Sequence, residues 1–257
     1  PGGQAEPPRY QAPARAARQV IAASMGSPSG THASSRRTTR PGTQAAAVLA
    51  IVGTLLSAFA NAQDAERGRE LYSLCARCHG AEGAGNALYL APSIAGQGRW
   101  YLEKQLHNFK DGVRARHFDD IGGMRMRPMA KWLKTDSDVS SVAIYVASLP
   151  LVRPEPILAG GDPARGAALY ATCAGCHGQN GDGVEAVGGP SLSHTSDWYQ
   201  LTQIRNFQRG IRGSDARDVG GAAMRGMSML LADEQAIKDV LAHIATLPGP
   251  AASGGAE

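Results

Sequence analysis

Between residues 64 and 247, apolar residues recur at helical spacing in six stretches, and the six fall into two sets of three. Over 136–149, Val139, Val142, Ala143, Val146 and Leu149 form one stripe, the i, i+3, i+4, i+7 pattern of a helix with a single buried face. Residues 233–247 are its partner. Over 100–110, Tyr101, Leu102, Gln105, Leu106 and Phe109 keep the same spacing, and 198–208 repeats it. The stretches 64–76 and 162–174 each open on an aspartate, the charge that suits a helix N-terminus. The segments between are rich in Gly and Pro, and none alternates as a strand would. The pattern predicts an all-α protein with three main helices in each of two units.

The two sets are related by one offset of 98 positions. Leu71-Tyr72 matches Leu169-Tyr170, Gly83 and Gly85 match Gly181 and Gly183, and Trp100-Tyr101 matches Trp198-Tyr199. Gln105, Phe109 and Arg114 match Gln203, Phe207 and Arg212, and Leu149-Pro150 matches Leu247-Pro248. A single offset from Arg67 to Pro150 means a duplicated unit without net insertion. The expected division is a leader over 1–62, domain 1 over 63–150, a linker over 151–161, domain 2 over 162–248 and a tail over 249–257. Prolines in the linker favour an extended path.

Each unit carries Cys-x-x-Cys-His once, as Cys75-Ala-Arg-Cys78-His79 and Cys173-Ala-Gly-Cys176-His177, and these are the only cysteines. The spacing suits covalent attachment of a c-type haem. Two thiols can add to the two vinyl groups on one porphyrin edge, and the next residue can then donate an imidazole nitrogen to the iron. Two tight disulfides would leave each trailing histidine unexplained, and zinc would need a further Cys or His pair beside each motif. Two covalent haem c groups are therefore expected, with His79 and His177 as axial ligands.

A second protein ligand would make each haem an electron carrier rather than a site for small ligands. Met126 with Met224, and Met129 with Met227, survive the 98-residue offset. Met124 aligns with Ala222 and Met229 with Lys131, which points to packing or surface roles for both. His117 and His194 are alternative distal ligands without partners at the offset, and His107 and His243 fall on predicted helices.

Composition changes the picture in one respect. The chain is 43% hydrophobic but only 5% aromatic, and its 26 basic and 22 acidic residues give +4. Residues 1–62 hold six Arg and one Glu, leaving 20 basic and 21 acidic residues, net −1. The basic balance belongs to the leader and offers no argument for nucleic acid. Arg36, Arg37 and Arg40 precede an apolar run over 45–60, and Ala60-Asn61-Ala62 is a small-x-small signature. The run is shorter than the ~20 residues of a membrane span. A secretory signal cleaved after Ala62 is expected, hence export to the periplasm, with an uncleaved anchor as the alternative. Met25 offers a start of translation, which would make 1–24 an over-extended reading frame.

These features resemble the two-haem cytochrome c4 family, tandem class I cytochrome c domains, over about 64–249. The resemblance rests on both Cys-x-x-Cys-His motifs, Ala95-Gly96-Gln97-Gly98, the run from Tyr101 to Leu106, and the Met-x-x-Met segment before a Leu and an acidic helix start. It departs where Gly96-Gln97 is replaced by His194-Thr195 in the second unit. The resemblance implies that the axial methionine stands seven residues before that Leu. This selects Met126, before Leu133, and Met224, before Leu231. It also implies that the Pro92 and Pro190 carbonyls support the proximal histidines.

The expected function is single-electron transfer through two His/Met haems, towards a terminal oxidase. The alternatives are an electron-relay subunit of a periplasmic dehydrogenase and a two-haem peroxidase. Equivalent methionines in both units argue against the peroxidase, which needs an open distal position. No nucleophile–base constellation or phosphate loop marks an enzyme. Redox proteins are the expected partners, with membrane association only through them or an uncleaved leader.

Overall fold

The computed structural model describes residues 64–250. The expected leader and cleavage site lie outside the described residues.

Each repeat contains four helices. In the first they are α1 (64–79), α2 (Arg99–Lys110), α3 (Ile121–Trp132) and α4 (Asp136–Ser148). In the second they are α5 (Pro163–His177), α6 (Asp197–Gln208), α7 (Val219–Ser228) and α8 (Glu234–Thr246). No strand occurs among the described residues. The expected three are present in each repeat. The fourth, α3 or α7, is the methionine segment, which the sequence pattern left in a Gly/Pro-rich connection.

Local chemistry explains these extra helices. The Asp120 carboxylate accepts the Gly123 N–H at 3.1 Å, and Asp218 accepts that of Gly221 at 3.0 Å. These N-caps satisfy a backbone donor that the helix leaves unpaired. A Cβ at Gly123 or Gly221 would collide with the capping carboxylate, so the Gly-Gly pairs that weaken helix propensity make room for the cap. Other helices are capped by polar side chains as well. Thr135 and Asp138 form a reciprocal capping box on α4, and Asp162 caps α5 ahead of Pro163.

The first and last helices of each repeat cross at a glycine. A Cβ at Gly68 would overlap the Ser141 carbonyl of α4, and one at Gly166 would overlap the Asp239 carbonyl of α8. Around these crossings lie two small apolar cores. One joins Leu71, Tyr72, Leu133, Val139, Val142 and Val146, and the other joins Tyr170, Leu201, Leu231, Ile237, Val240 and Ile244. The connection after Pro150 has no regular structure up to the cap of α5. The Asp197 carboxylate accepts the Ile157 and Leu158 N–H groups at 2.8 Å each, and Arg153 donates to the Leu247 carbonyl at 2.6 Å. The connection is thus strapped to the second repeat.

Candidate functional site

Both haem motifs close the first helix of their repeat. The motif histidine is the last helical residue, and a positive-φ glycine, Gly80 or Gly178, turns the chain immediately after it. The Tyr72 hydroxyl donates to the Gly80 carbonyl and that of Tyr170 to Gly178, both at 2.7 Å, which fixes the exit from the helix. The chain then loops back. Gly85 and Gly183 donate to the carbonyls of His79 and His177 at 2.8 Å, and the loop carries a proline beneath each imidazole.

That proline settles the histidine tautomer. His79 Nδ1 lies 2.8 Å from the Pro92 carbonyl oxygen, and His177 Nδ1 lies 2.8 Å from that of Pro190. A carbonyl can only accept, so Nδ1 must carry the proton and donate it. Nε2 then keeps its lone pair, the form a metal ligand requires. Both rings are buried, and burial holds both below the ordinary histidine pKa, against the opposing pull of the proline carbonyls. The imidazoles are thereby kept neutral.

One continuous cavity runs beside both histidines. In the first repeat its walls include Cys75, Leu102, Leu106, Phe109 and Val146, and in the second Cys173, Ile204, Phe207, Leu231 and Ile244. Met126 lines it in the first repeat; Met129 does not. Met224 lines it in the second repeat, joined by the more exposed Met227. Met126 is half-buried against Phe109, Ala115 and Ala130, whereas Met124 and Met229 are exposed. His194 does not line the cavity. It is fully buried and its Nδ1 lies 3.1 Å from Ser191 Oγ. Arg125, next to Met126, donates to the Tyr89 carbonyl at 3.0 Å.

The sequence did not announce what lies where the repeats meet. Gln105 Oε1 accepts from Arg114 at 2.7 Å and from Arg212 at 3.1 Å. Gln203 Oε1 accepts from Arg212 at 2.8 Å and from Arg114 at 2.9 Å. Arg212 also reaches the Tyr101 hydroxyl at 3.2 Å, and Arg114 approaches that of Tyr199 at 3.5 Å. Arg114 lies over the Phe109 ring and Arg212 over Phe207, at 4.3 and 4.5 Å from the ring centres. The cluster is two-fold in its logic, each residue of one repeat meeting its counterpart's partner. Their identity at the 98 offset was the one available signal. Gln97, which has no counterpart in the second repeat, donates across the boundary to the Ser191 carbonyl at 3.0 Å. Ser93 N–H likewise donates to Ser196 Oγ at 3.0 Å.

These residues fit a c-type haem in each repeat. All four motif cysteines are free thiols, one half-buried and one exposed in each pair. Burial pushes the Cys75 thiol up to about 11 and raises that of Cys173. The walls are apolar, as a porphyrin face requires. Two buried guanidiniums, Arg114 and Arg212, border the cavity, and their hydrogen-bond partners are amide and phenol oxygens. The Nε of each has no partner among the described residues. Buried cations call for anions, and the acid groups of a haem can supply them. Bound there, a haem would supply a one-electron iron couple; the protein supplies the thiols, a neutral imidazole and an apolar enclosure.

Fold and site together define a c-type cytochrome built twice in one chain. The family model for Cytochrome c matches residues 65–150 and again 163–248. Cytochrome c4 of Pseudomonas aeruginosa is 32% identical over 164 residues, 60% of this chain and 76% of that protein. The thiosulfate dehydrogenase electron acceptor of Stutzerimonas stutzeri is 31% identical over 216 residues, 76% of this chain and 92% of that protein. The crystal structure of reduced cytochrome c4 from Pseudomonas stutzeri superposes with a TM-score of 0.56 at 28% identity, covering 71% of this chain and 98% of that one. The chain belongs to the cytochrome c family, in its two-haem cytochrome c4 branch, and is an electron-transfer protein carrying a covalent haem c on each Cys-x-x-Cys-His motif.

Proposed function

We propose that both haems are His/Met-ligated, by His79 with Met126 and by His177 with Met224, and that the protein carries single electrons through the periplasm towards a terminal oxidase. One observation carries the ligand assignment. In each repeat a buried imidazole, its Nδ1 committed to a proline carbonyl, lines the same cavity as the methionine at the matching position. Two protein ligands that stay bound in both the ferric and ferrous states need not move, so reorganisation would be small. Methionine opposite histidine raises the potential, which suits delivery to an oxidase. Pro92 and Pro190 orient the histidines. Export rests on the 1–62 pattern. No helix among the described residues is long and apolar enough to cross a membrane.

A redox titration followed by spectra tests this. Wild-type protein should show two low-spin c-type haems and the methionine–iron charge-transfer band of the oxidised state. Met126→Ala and Met224→Ala should each remove about half of that band. If both leave it unchanged, the assignment is wrong, and Met129→Ala with Met227→Ala become the test.

One observation favours a second reading. A protein named as an electron acceptor for thiosulfate dehydrogenase is similar over most of both chains, which supports a relay role beside a periplasmic dehydrogenase. Rapid reduction by such a dehydrogenase, with slow turnover by an oxidase, would decide for it.

A further inference from the structure

The two repeats share their interior and interface residues but differ on the surface beside the cavity mouth. In the first repeat, Leu88 and Tyr89 are 90% and 52% exposed on a short 3-10 turn, and Phe118, Ile121 and Met124 are 76%, 55% and 49% exposed around the start of α3. They form one surface. Arg125 of α3 donates to the Tyr89 carbonyl, and Leu90 and Ile121 both line the cavity. The positions 98 residues on hold Ala186, Val187, Ala216, Val219 and Ala222. The second repeat keeps some exposed apolar groups, among them Val219, Met229 and Leu230, but no aromatic ring.

Charge separates the two faces more sharply. Arg77, within the first haem motif, and Arg125 and Lys131, on the exposed stripe of α3, are all solvent-facing. Their counterparts are Gly175, Ala223 and Met229. The loop after the first motif carries one exposed carboxylate, Glu82. The loop after the second carries two, Asp182 and Glu185, where the first repeat has Ala84 and Ala87. Over these matched positions the first face holds three cations and one carboxylate, and the second holds two carboxylates alone. Of the other nearby charges, Asp119 pairs with Arg209, and Asp215 is shared by Arg116 and Arg217, while Arg225 is an exposed cation on α7 of the second repeat.

We infer that the first repeat's face is the docking surface for an acidic redox protein, one whose own cofactor edge is apolar within a ring of carboxylates. The inference rests on the electron-carrier reading above. An apolar centre excludes water from the contact, while the cations steer the encounter and set the orientation. The second face has none of these three cations and sets two carboxylates beside its exposed Arg225, so an acidic partner is directed to the first haem.

The test is stopped-flow reduction of oxidised holoprotein by a reduced acidic [2Fe–2S] ferredoxin as probe, at low and high ionic strength. Arg125→Glu/Lys131→Glu should lower the second-order rate at low salt about tenfold and flatten its salt dependence. Lys131→Glu alone, which leaves the Arg125–Tyr89 contact intact, should give part of both effects. Leu88→Ser/Tyr89→Ser should slow the reaction but keep its salt dependence. Asp182→Lys/Glu185→Lys, on the other face, should not slow it. A double charge reversal within twofold of wild type, or an equal loss from changes on the second face, overturns the inference. Reduction by dithionite separates the two levels. Uptake of two electrons per chain in every variant keeps the electron-carrier reading whatever the docking result, and failure of the wild-type protein to take them up sinks that reading instead.

Discussion

Removing both interface arginines should cost more than the sum of removing each. Arg212→Met loses hydrogen bonds to Gln203, Gln105 and Tyr101 and the stacking on Phe207. At about 1 kcal/mol net per bond, less the relief of no longer burying a cation, the single change costs about 2–3 kcal/mol. It leaves neither glutamine oxygen unpaired, because Arg114 still donates to Gln105 and Gln203. Arg114→Met is the mirror case, with Arg212 remaining. Only the double variant strands both oxygens in a buried interface, at about 1–3 kcal/mol each. Repulsion between the guanidiniums adds to the same sign, since it is fully relieved by the first substitution. The double change should therefore exceed the sum of the singles by about 2 kcal/mol or more. Denaturant unfolding of the holoprotein, followed by circular dichroism with the slopes compared across the cycle, measures this. Additivity within about 0.5 kcal/mol would refute the shared-acceptor geometry.

Four further outcomes follow from single residues. Gly166→Ala should destabilise by about 1–3 kcal/mol, because its Cβ meets the Asp239 carbonyl of α8. Gly226→Ala, with open space around it in α7, should stabilise by up to about 1 kcal/mol; melting temperatures that move in the same direction would contradict this. Burial, helped by the charge of Arg153, lowers the His194 pKa to about 4. The unfolded state, with a pKa near 6.5, then binds more protons between about pH 4 and 6.5. Stability should fall by up to about 3 kcal/mol on acidification through that window, and His194→Gln should flatten the dependence; an unchanged slope in the variant would remove His194 as its source. Gly85 has φ +84° and its Cβ would strike the backbone of Ser93, so Gly85→Ala should displace the Pro92 carbonyl from His79. Without that acceptor the imidazole is a weaker donor to ferric iron, and one of the two potentials should rise while the other stays; equal shifts in both would show that the effect is not local.

What could be read from the sequence was what acts over short spacing. A haem motif is five residues, and a helical stripe repeats every three or four, so both are visible without knowing the fold. The stripes over 100–110 and 136–149 became α2 and α4 because their apolar residues face a core. The α3 and α7 helices were hidden for a physical reason. Gly122-Gly123, Gly220-Gly221 and Pro128 count against a helix locally, and the segments are held by side-chain caps and by packing on α2 and α6. The choice between Met126 and Met129 needed a resemblance in the sequence; in the structure Met126 lines the cavity and Met129 does not, while Met224 and Met227 both do. The arginine–glutamine cluster was out of reach, because nothing in a period says which side chains meet across 98 positions.

The same two-fold arrangement bears on the direction of electron flow. In the reciprocal arginine–glutamine cluster each contact made by one repeat is made in reverse by the other, so the pairs Gln105 and Gln203, Arg114 and Arg212, Tyr101 and Tyr199 must be alike for either half to be satisfied. Such an interface can hold two haem sites in fixed relation, but its symmetry gives neither site a preference for donating or accepting. Any bias has to come from positions free of that constraint. Those positions are at the outer faces, where Arg125 faces Ala223 and Lys131 faces Met229 in the repeat alignment, around His194, which stands where the first repeat has Gly96, and at Gln97, whose bond to the Ser191 carbonyl has no reverse. In a duplicated carrier with matched motifs, any preference between the two sites therefore has to arise where the repeats differ.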